Sequence, residues 1–143
     1  MAITQLSVFV ENKSGRLAAI ADILAQNNIN IRALSIADTA DFGILRIIVD
    51  DTDLAISVLS SAGITVRRTE VIGVTIDDVP GGLSKILTTI SNSGMVIEYM
   101  YAFVGKTHEK AITIIRTDDM DITLSVLAKN GIHVVSEEEI KEI

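Results

Sequence analysis

Leu6–Leu17 reads LSVFVENKSGRL, and Ile72–Leu83 reads IGVTIDDVPGGL. In both stretches apolar residues alternate with polar or exposed positions, a polar turn that contains glycine follows, and a leucine at the end begins a helical spacing of apolar residues. Gly15 in the first stretch corresponds to Gly81 in the second. Because one copy is too short to be comfortably stable alone, the repetition predicts a paired-domain protein, with domains at residues 1–70 and 71–143, rather than an enzyme built around one central cleft.

Hydrophobic spacing predicts the same order of elements, β-α-β-β-α-β, in each copy. Leu6, Val8 and Val10 alternate as in a half-buried strand. Ser14 is the expected N-cap of the next helix, and Pro80 is expected to open the equivalent helix. The predicted buried stripes of these two helices are Leu17, Ile20, Ala21 and Leu24, and Leu83, Ile86, Leu87 and Ile90. The fold class is therefore α+β, with two ferredoxin-like βαββαβ units, each an antiparallel sheet with its helices on one face.

Composition argues against several classes of protein. Apolar residues make up 48% of the chain, but tryptophan is absent, so aliphatic side chains must fill the core. The net charge is −7 with no run of Lys or Arg, which argues against nucleic acid as a partner. Without cysteine there is no disulfide, thiol nucleophile or thiolate metal site. We expect a cytoplasmic protein without a membrane partner, since neither a signal peptide nor a window of ~20 apolar residues is found.

Two segments of each copy resemble the ACT domain. Glu11–Leu17 (ENKSGRL) and the later Asn28–Ile31 (NINI) carry the resemblance in the first copy, and Asp78–Leu83 (DVPGGL) with Gly94–Ile97 (GMVI) carry it in the second. It extends over about residues 3–70 and 71–137. The resemblance implies βαββαβ modules that bind amino acids, regulate metabolic enzymes and hold their ligands at the seam between two units.

The resemblance also implies which residues contact the ligand. Amino-acid-binding members carry an Asn or Asp in the loop before the first helix and often a second Asn that opens the second strand. Asn12 and Asn30 match these positions in the first copy. In the second copy Asp78 matches loosely and Val96 does not match.

The chemistry of these residues suits a free amino acid. The helix that begins near Gly15 offers unpaired N–H groups and a partial positive charge to a carboxylate, and an Asn side chain can meet either end of a zwitterion. Lys13 and Arg16 add positive charge there, whereas Asp78 suits an ammonium group. We therefore predict carboxylate recognition in the first copy, within a site formed by Asn12, Lys13, Ser14, Gly15, Arg16, Leu17, Ile29, Asn30 and Asp78. No catalytic residue, cofactor or metal is expected.

Each of these residues also has a plain structural interpretation. Asn12 and Asn30 are typical turn residues, and Arg16 can simply point into solvent.

The acidic groups Asp50-Asp51-Asp53 and Asp118-Asp119-Asp121 precede equivalent helices and are interpreted as caps. His108 and His133 lack partner ligands in a recognisable spacing. Tyr99, Tyr101 and Phe103 share one side of a strand. We interpret this side as a surface that faces a partner or is covered by a helix. A surface on which a ligand stacks is the less simple alternative.

Three functions remain open at this point. The first is a stand-alone amino-acid sensor. The second is a regulatory subunit of a biosynthetic enzyme, such as the small subunit of acetolactate synthase, which acts through protein contact. The third is a small enzyme on the open sheet face, although the sequence offers no nucleophile–base pair or paired carboxylates for it. Because each unit is expected to end in an exposed sheet edge, a homodimer is also predicted.

Overall fold

The computed structural model describes residues 2–11, 13–38, 42–103 and 110–142. Its contacts divide the chain into two compact units, one of Thr4–Thr69 and one of Met1–Ile3 with Glu70–Ile143. We call them the N-terminal unit and the C-terminal unit. Within the described ranges, no helix is both long enough and apolar enough to cross a membrane.

The N-terminal unit has the element order β-α-β-β-α-β that was predicted. Its sheet has the order β2-β3-β1-β4, and β3 pairs antiparallel with both β1 and β2. Only the first residues of β4, up to Thr69, belong to this unit. Its elements are β1 (Ile3–Glu11), α1 (Arg16–Gln26), β2 (Ile31–Asp38), β3 (Phe42–Val49), α2 (Thr52–Ser61) and the start of β4 (Val66–Asp77).

The core of the N-terminal unit lies between its sheet and its two helices. The alternating residues Leu6, Val8 and Val10 of β1 are buried there, as predicted. Ile20 and Leu24 of α1 pack against them, and Ala55 and Leu59 of α2 complete the cluster. Full burial of each large aliphatic side chain contributes about 1.5–3 kcal/mol, so this cluster holds both helices on the sheet.

The C-terminal unit repeats the plan. Its sheet has the order β5-β6-β4-β7, with every pair antiparallel. The core contains Ile72 and Val74 of β4, Ile90 of α3 and Leu127 of α4. The elements are the rest of β4, α3 (Gly82–Asn92), β5 (Ile97–Ala102), β6 (Lys110–Thr117), α4 (Met120–Lys129), β7 (Val134–Val135) and α5 (Glu137–Lys141).

Three details of the helix starts differ from the sequence prediction. Ser14 is not the N-cap of α1, because Gly15 holds that position without a side-chain cap. Pro80 does not open α3 but precedes its N-cap, Gly81. Leu17 and Leu83 are not part of the buried stripes, since they are 42% and 44% exposed, and Ala21 is exposed as well. Both leucines lie in the first helical turn, and burial begins only with the next turn.

Candidate functional site

The turn between β1 and α1 gives the predicted site its shape. The N–H of Lys13 donates to the carbonyl of Glu11 (2.8 Å), and the N–H of Arg16 donates to the carbonyl of Lys13 (3.3 Å). Gly15 has φ 85°, a left-handed conformation that an L side chain rarely adopts. A Cβ at Gly15 would meet nothing within 4 Å, so the glycine serves the backbone conformation and leaves open space above the turn. Asn12 lies outside the described residues.

The first turn of α1 leaves backbone donors free. After the N–H of Arg16, the next N–H of α1 that bonds back into the turn is that of Ala19, which donates to the carbonyl of Gly15 (3.0 Å). The N–H groups of Leu17 and Ala18 donate to no acceptor among the residues that the structure describes. Adjacent free N–H groups at a helix start can hold a carboxylate, because the helix dipole also favours negative charge there.

Three charged side chains surround this turn. Glu11 forms ion pairs with Lys13 (Oε2 to Nζ, 3.1 Å) and with Arg16 (Oε2 to Nη2, 3.7 Å). The hydrogen bond from Lys13, followed by the charges of Lys13 and Arg16, lowers the pKa of Glu11 below its usual value. Cations at a helix start are unfavourable against the helix dipole. The chain's own Glu11 carboxylate offsets part of this positive charge.

Two hollows adjoin the turn. The larger is about 240 Å³, and we call it the N-terminal cleft. Arg16 contributes the positive charge to its wall, and its lining is Phe9, Val10, Glu11, Arg16, Ala19, Ile20, Phe42, Ala62, Gly63, Ile64 and Thr65. The smaller, of about 70 Å³, lies toward β2 and includes Lys13, Leu17 and Ile36 in its lining. Arg16 and Ala19, which flank the two free N–H groups in the sequence, line the N-terminal cleft, and Leu17 lines the smaller hollow.

Asn30 and Ile29 lie away from the turn between β1 and α1. Asn30 precedes β2, where its N–H donates to Oδ1 of Asp50 (3.0 Å) and its carbonyl accepts from the N–H of Asp50 (3.3 Å). Ile29 is buried, and its N–H donates to the carbonyl of Leu24 near the end of α1. The 11 residues of α1 separate them from Gly15, which corresponds to about 16 Å along the helix. Within one unit, no small ligand can contact both Gly15 and Asn30.

The C-terminal unit contains an equivalent turn and an equivalent cleft. Gly81 has φ 88°, and the N–H of Lys85 donates to its carbonyl (3.1 Å). Asp78 is exposed in this turn. The cleft beside it, which we call the C-terminal cleft, is about 170 Å³ and is lined by Thr75, Ile76, Asp77, Gly82, Lys85, Ile86, Gly131, Ile132 and His133. Its described lining includes Asp77 but not Asp78.

Sequence reasoning missed most residues of the two clefts. Phe9, Phe42 and Ile64 come from three different strand ends or loops, and no local spacing unites them. One signal was available: once the copies are aligned, Phe9 corresponds to Thr75 and Thr65 to His133. Those differences between equivalent positions mark where the clefts diverge.

The remaining candidates have structural partners. The Asp51 carboxylate accepts from the N–H of Leu54 and the Asp119 carboxylate from the N–H of Ile122, both at 3.1 Å, so the capping interpretation is confirmed for these two residues. Within the described ranges, no group of three His, Asp or Glu side chains is arranged to hold a metal ion. His133 lies 2.8 Å from Glu139, Nε2 to Oε2, whereas His108 is outside the described residues.

The aromatic side chains of β5 interact with each other. The rings of Tyr99 and Tyr101 stack with their centroids 6.5 Å apart. Both side chains are half-buried. Neither belongs to the described lining of the two clefts.

Comparison with known proteins agrees with this architecture. The family model described as "ACT domain pair" matches residues 1–143. The chain is 41% identical to protein BT0572 from Bacteroides thetaiotaomicron, with a TM-score of 0.92 over 100% of this chain and 98% of that one. The ligand-free regulatory subunit of aspartate kinase from Thermus thermophilus has a TM-score of 0.61 at 16% identity, over 88% and 90% of the two chains, which is a likeness of fold. Among curated proteins, none matches.

Proposed function

The chain belongs to the ACT domain family, a family of regulatory domains that bind amino acids, and from this premise we propose that it is a non-catalytic amino-acid sensor. The observation that carries the proposal is the pair of free N–H groups at Leu17 and Ala18, which have no acceptor in the described part of the chain. In the sequence they lie between Arg16 and Ala19, two residues that line the N-terminal cleft. Binding at such a turn requires no proton transfer, so regulation rather than turnover is the expected outcome.

The parts of an α-amino acid can be matched to groups at this turn. Its carboxylate accepts from the two free N–H groups and from the guanidinium of Arg16. Its side chain extends into the N-terminal cleft, whose walls include Phe9, Phe42 and Ile64. An amino acid with an apolar side chain fits these walls best, because its burial there removes apolar surface from water.

We further propose that two copies of the chain pair through β2, which would give Asn30 a role in the site. β2 is the outermost strand of the N-terminal unit, and Leu34 and Ile36 are 43% and 49% exposed along it. Ile36, near the end of β2, shares the smaller hollow with Lys13, whereas Asn30 precedes the start of β2. Antiparallel pairing of two β2 edges therefore brings Asn30 of a second copy toward Gly15 of the first.

Thermal-shift screening of the twenty amino acids, followed by calorimetry, tests the sensor proposal. An amino acid present at ~100 times its dissociation constant should stabilise the protein by about 2.7 kcal/mol. Arg16→Gln should weaken its binding by about tenfold or more, as expected for the loss of a charged hydrogen bond. Arg68→Gln is the matched control, because Arg68 pairs with Asp53 outside the lining of the cleft. Absence of any shift with all twenty amino acids would refute the proposal.

Sedimentation of Ile36→Lys tests the β2 pairing. The substitution adds a charge to the proposed interface and should yield monomers and weaker amino-acid binding together. Leu54→Lys is the control, since Leu54 is a similarly exposed apolar residue, at 39%, on α2 instead of β2. A wild-type protein that sediments as a monomer at every concentration would contradict the pairing.

The alternative function is a regulatory subunit of an amino-acid biosynthetic enzyme. The same exposed edge of β2 supports it, since an enzyme could cover that edge as well as a second copy could. Affinity purification from the source organism distinguishes the two. An enzyme recovered in stoichiometric amount favours the subunit, and recovery of the chain alone favours the stand-alone sensor.

A further inference from the structure

The helix α4 ends at the one place in the sequence where asparagine is followed by glycine. Asn130 is the C-cap residue of α4, Gly131 follows it with φ 68°, and both residues are exposed. Because glycine has no Cβ, its backbone nitrogen can approach the side chain of the preceding residue closely. In the N-terminal unit the equivalent residues are Ala62 and Gly63, so the asparagine–glycine pair is particular to the C-terminal unit.

From this turn we infer that Asn130 is a site of spontaneous deamidation, with water as the only co-reactant. Asparagine is among the thermolabile residues. The deprotonated backbone nitrogen of Gly131 attacks Cγ of Asn130, and the new C–N bond closes a five-membered imide. The bond from Cγ to Nδ2 breaks, and Nδ2 leaves as ammonia after gaining the proton that Gly131 lost to solvent. Water then opens the imide at either carbonyl carbon, which yields aspartate or its isomer with the main chain routed through the side chain.

Both reacting nitrogen atoms are held by the end of α4 in the folded protein. The N–H of Gly131, the attacking group, donates to the carbonyl of Ala128 (3.2 Å). Nδ2 of Asn130, the leaving group, donates to the carbonyl of Val126 (2.8 Å). The reaction therefore requires that the last turn of α4 opens, and exposed helix ends are where a fold opens at the smallest cost in free energy. The rate of deamidation in the folded protein consequently reports how often this turn is open.

The end of α1 provides a matched comparison within the same chain. Asn27 is the C-cap of α1 with φ −101° and ψ 14°, and Asn130 has φ −97° and ψ 10°. Nδ2 of Asn27 also donates to a carbonyl one turn back, that of Ile23, at 2.8 Å. The two caps differ in the residue that follows, which is Asn28 in α1 and Gly131 in α4. Because a side chain on the attacking residue hinders its nitrogen, deamidation is expected at Asn130 and not at Asn27.

The product changes the end of α4 and one wall of the C-terminal cleft. A carboxylate has no proton to donate to the carbonyl of Val126, and its negative charge at a helix C-terminus opposes the helix dipole. In the isomer the main chain is one carbon longer directly before Gly131 and Ile132, both of which line the cleft. Deamidated protein should therefore melt at a lower temperature than the intact chain.

Incubation of the full chain in mildly alkaline buffer, with and without urea, tests the site by peptide mass analysis. Asn130 should lose its amide while Asn27 is still intact. The loss should be slower in the folded protein than in urea by about tenfold or more, the factor that corresponds to ~1.4 kcal/mol of opening free energy. Asn28→Gly is the reciprocal variant, because glycine adopts the φ of 58° at that position readily. It should make Asn27 as labile as Asn130.

A second variant identifies the attacking atom. Gly131→Ala should slow the loss at Asn130 in urea, where folding of the variant plays no part. An unchanged rate in this variant would overturn the attack by the nitrogen of Gly131. Loss of the Asn27 amide before that of Asn130 in the wild-type chain would overturn the assignment of the site. Equal rates in folded and urea-unfolded protein would overturn the control by opening of α4.

Discussion

The carboxylate of Glu11 lies 3.1 Å from the ammonium group of Lys13, in the turn that leads into α1. The same oxygen lies 3.7 Å from Arg16, so the two cations beside the proposed carboxylate site share one acidic side chain, which offsets one of their two positive charges. Both partners are on the surface, and the contact can open when a ligand arrives. Glu11 therefore competes with a bound carboxylate for the same two cations.

Replacement of Glu11 by Gln should strengthen binding of an amino acid at this turn. The variant removes the competing charge and frees Lys13 and Arg16 for the ligand. Calorimetry at low ionic strength measures the change, because salt screens such exposed charges. Glu98→Gln is the control, since Glu98 forms a comparable pair with Arg116 (3.3 Å) in the C-terminal unit. If Glu11→Gln binds less tightly than wild type, Glu11 contacts the ligand's ammonium group more than it competes with the ligand's carboxylate.

The caps of α2 and α4 provide a matched pair of substitutions. Asp51→Ala and Asp119→Ala should each lower the free energy of unfolding by about 0.5–2 kcal/mol, because each removes a side-chain acceptor from an N–H group 3.1 Å away. Asp51→Asn should lose little, since Asn caps equally well. Urea denaturation measures both effects. A melting temperature that rises with Ca²⁺ in wild type but not in Asp51→Asn would show that this acidic group binds cations instead.

Among the glycines that the structure describes, Gly82 leaves the least room for a Cβ atom. A Cβ at this position would clash with the carbonyl oxygen of Asp77, and the backbone must move to relieve that clash. Gly82→Ala should therefore destabilise the protein by at least about 1–3 kcal/mol, the usual cost of overpacking. Gly43→Ala is the control, because its Cβ would lie 3.6 Å from the nearest atom, an ordinary contact. Equal denaturation midpoints for the two variants would contradict this account.

Much of the fold was predictable because local spacing determines it. The two-residue alternation of Leu6, Val8 and Val10 and the order of elements in both copies follow from the sequence alone. The limits of the buried stripes do not follow from the sequence alone. A helical spacing continues to the first turn at Leu17, but only the packing of α1 on the sheet decides that burial begins at Ile20.

The candidate site was predictable in part. The glycine turn and its cations follow from the residues around Gly15, since a helix start and its neighbouring charges are local features. The clefts could not be predicted from the sequence, because Phe9, Phe42 and Ile64 come together only in the folded unit. Asn30 was grouped with Gly15 by resemblance, yet α1 separates the two within one unit.

The corrected stripe of α1 gives a direct test in the core. Leu24→Ala should cost about 2–5 kcal/mol, because Leu24 is 1% exposed and packs in the cluster of the N-terminal unit. Leu17→Ala should cost clearly less, since Leu17 is 42% exposed in the first turn. Chemical denaturation of the two variants makes the comparison. Equal losses would mean that Leu17 is covered in solution, which is the result expected if a second copy packs over it.

The contact between His133 and Glu139 should make the stability of the C-terminal unit depend on acid pH. The hydrogen bond from His133 is the largest influence that lowers the pKa of Glu139 from its usual 4.5, and Ser136 adds to the lowering. A carboxyl whose pKa is lower in the folded state stabilises the fold above about pH 4.5 and loses that contribution as the pH falls through its folded value. Glu139→Gln should therefore melt below wild type at pH 6, and the difference should shrink toward pH 3. Glu138→Gln, on the exposed side of α5, is the control and should follow wild type. If the difference in melting temperature between Glu139→Gln and wild type stays constant from pH 6 to pH 3, the side chain acts by its shape and hydrogen bonding rather than by its charge.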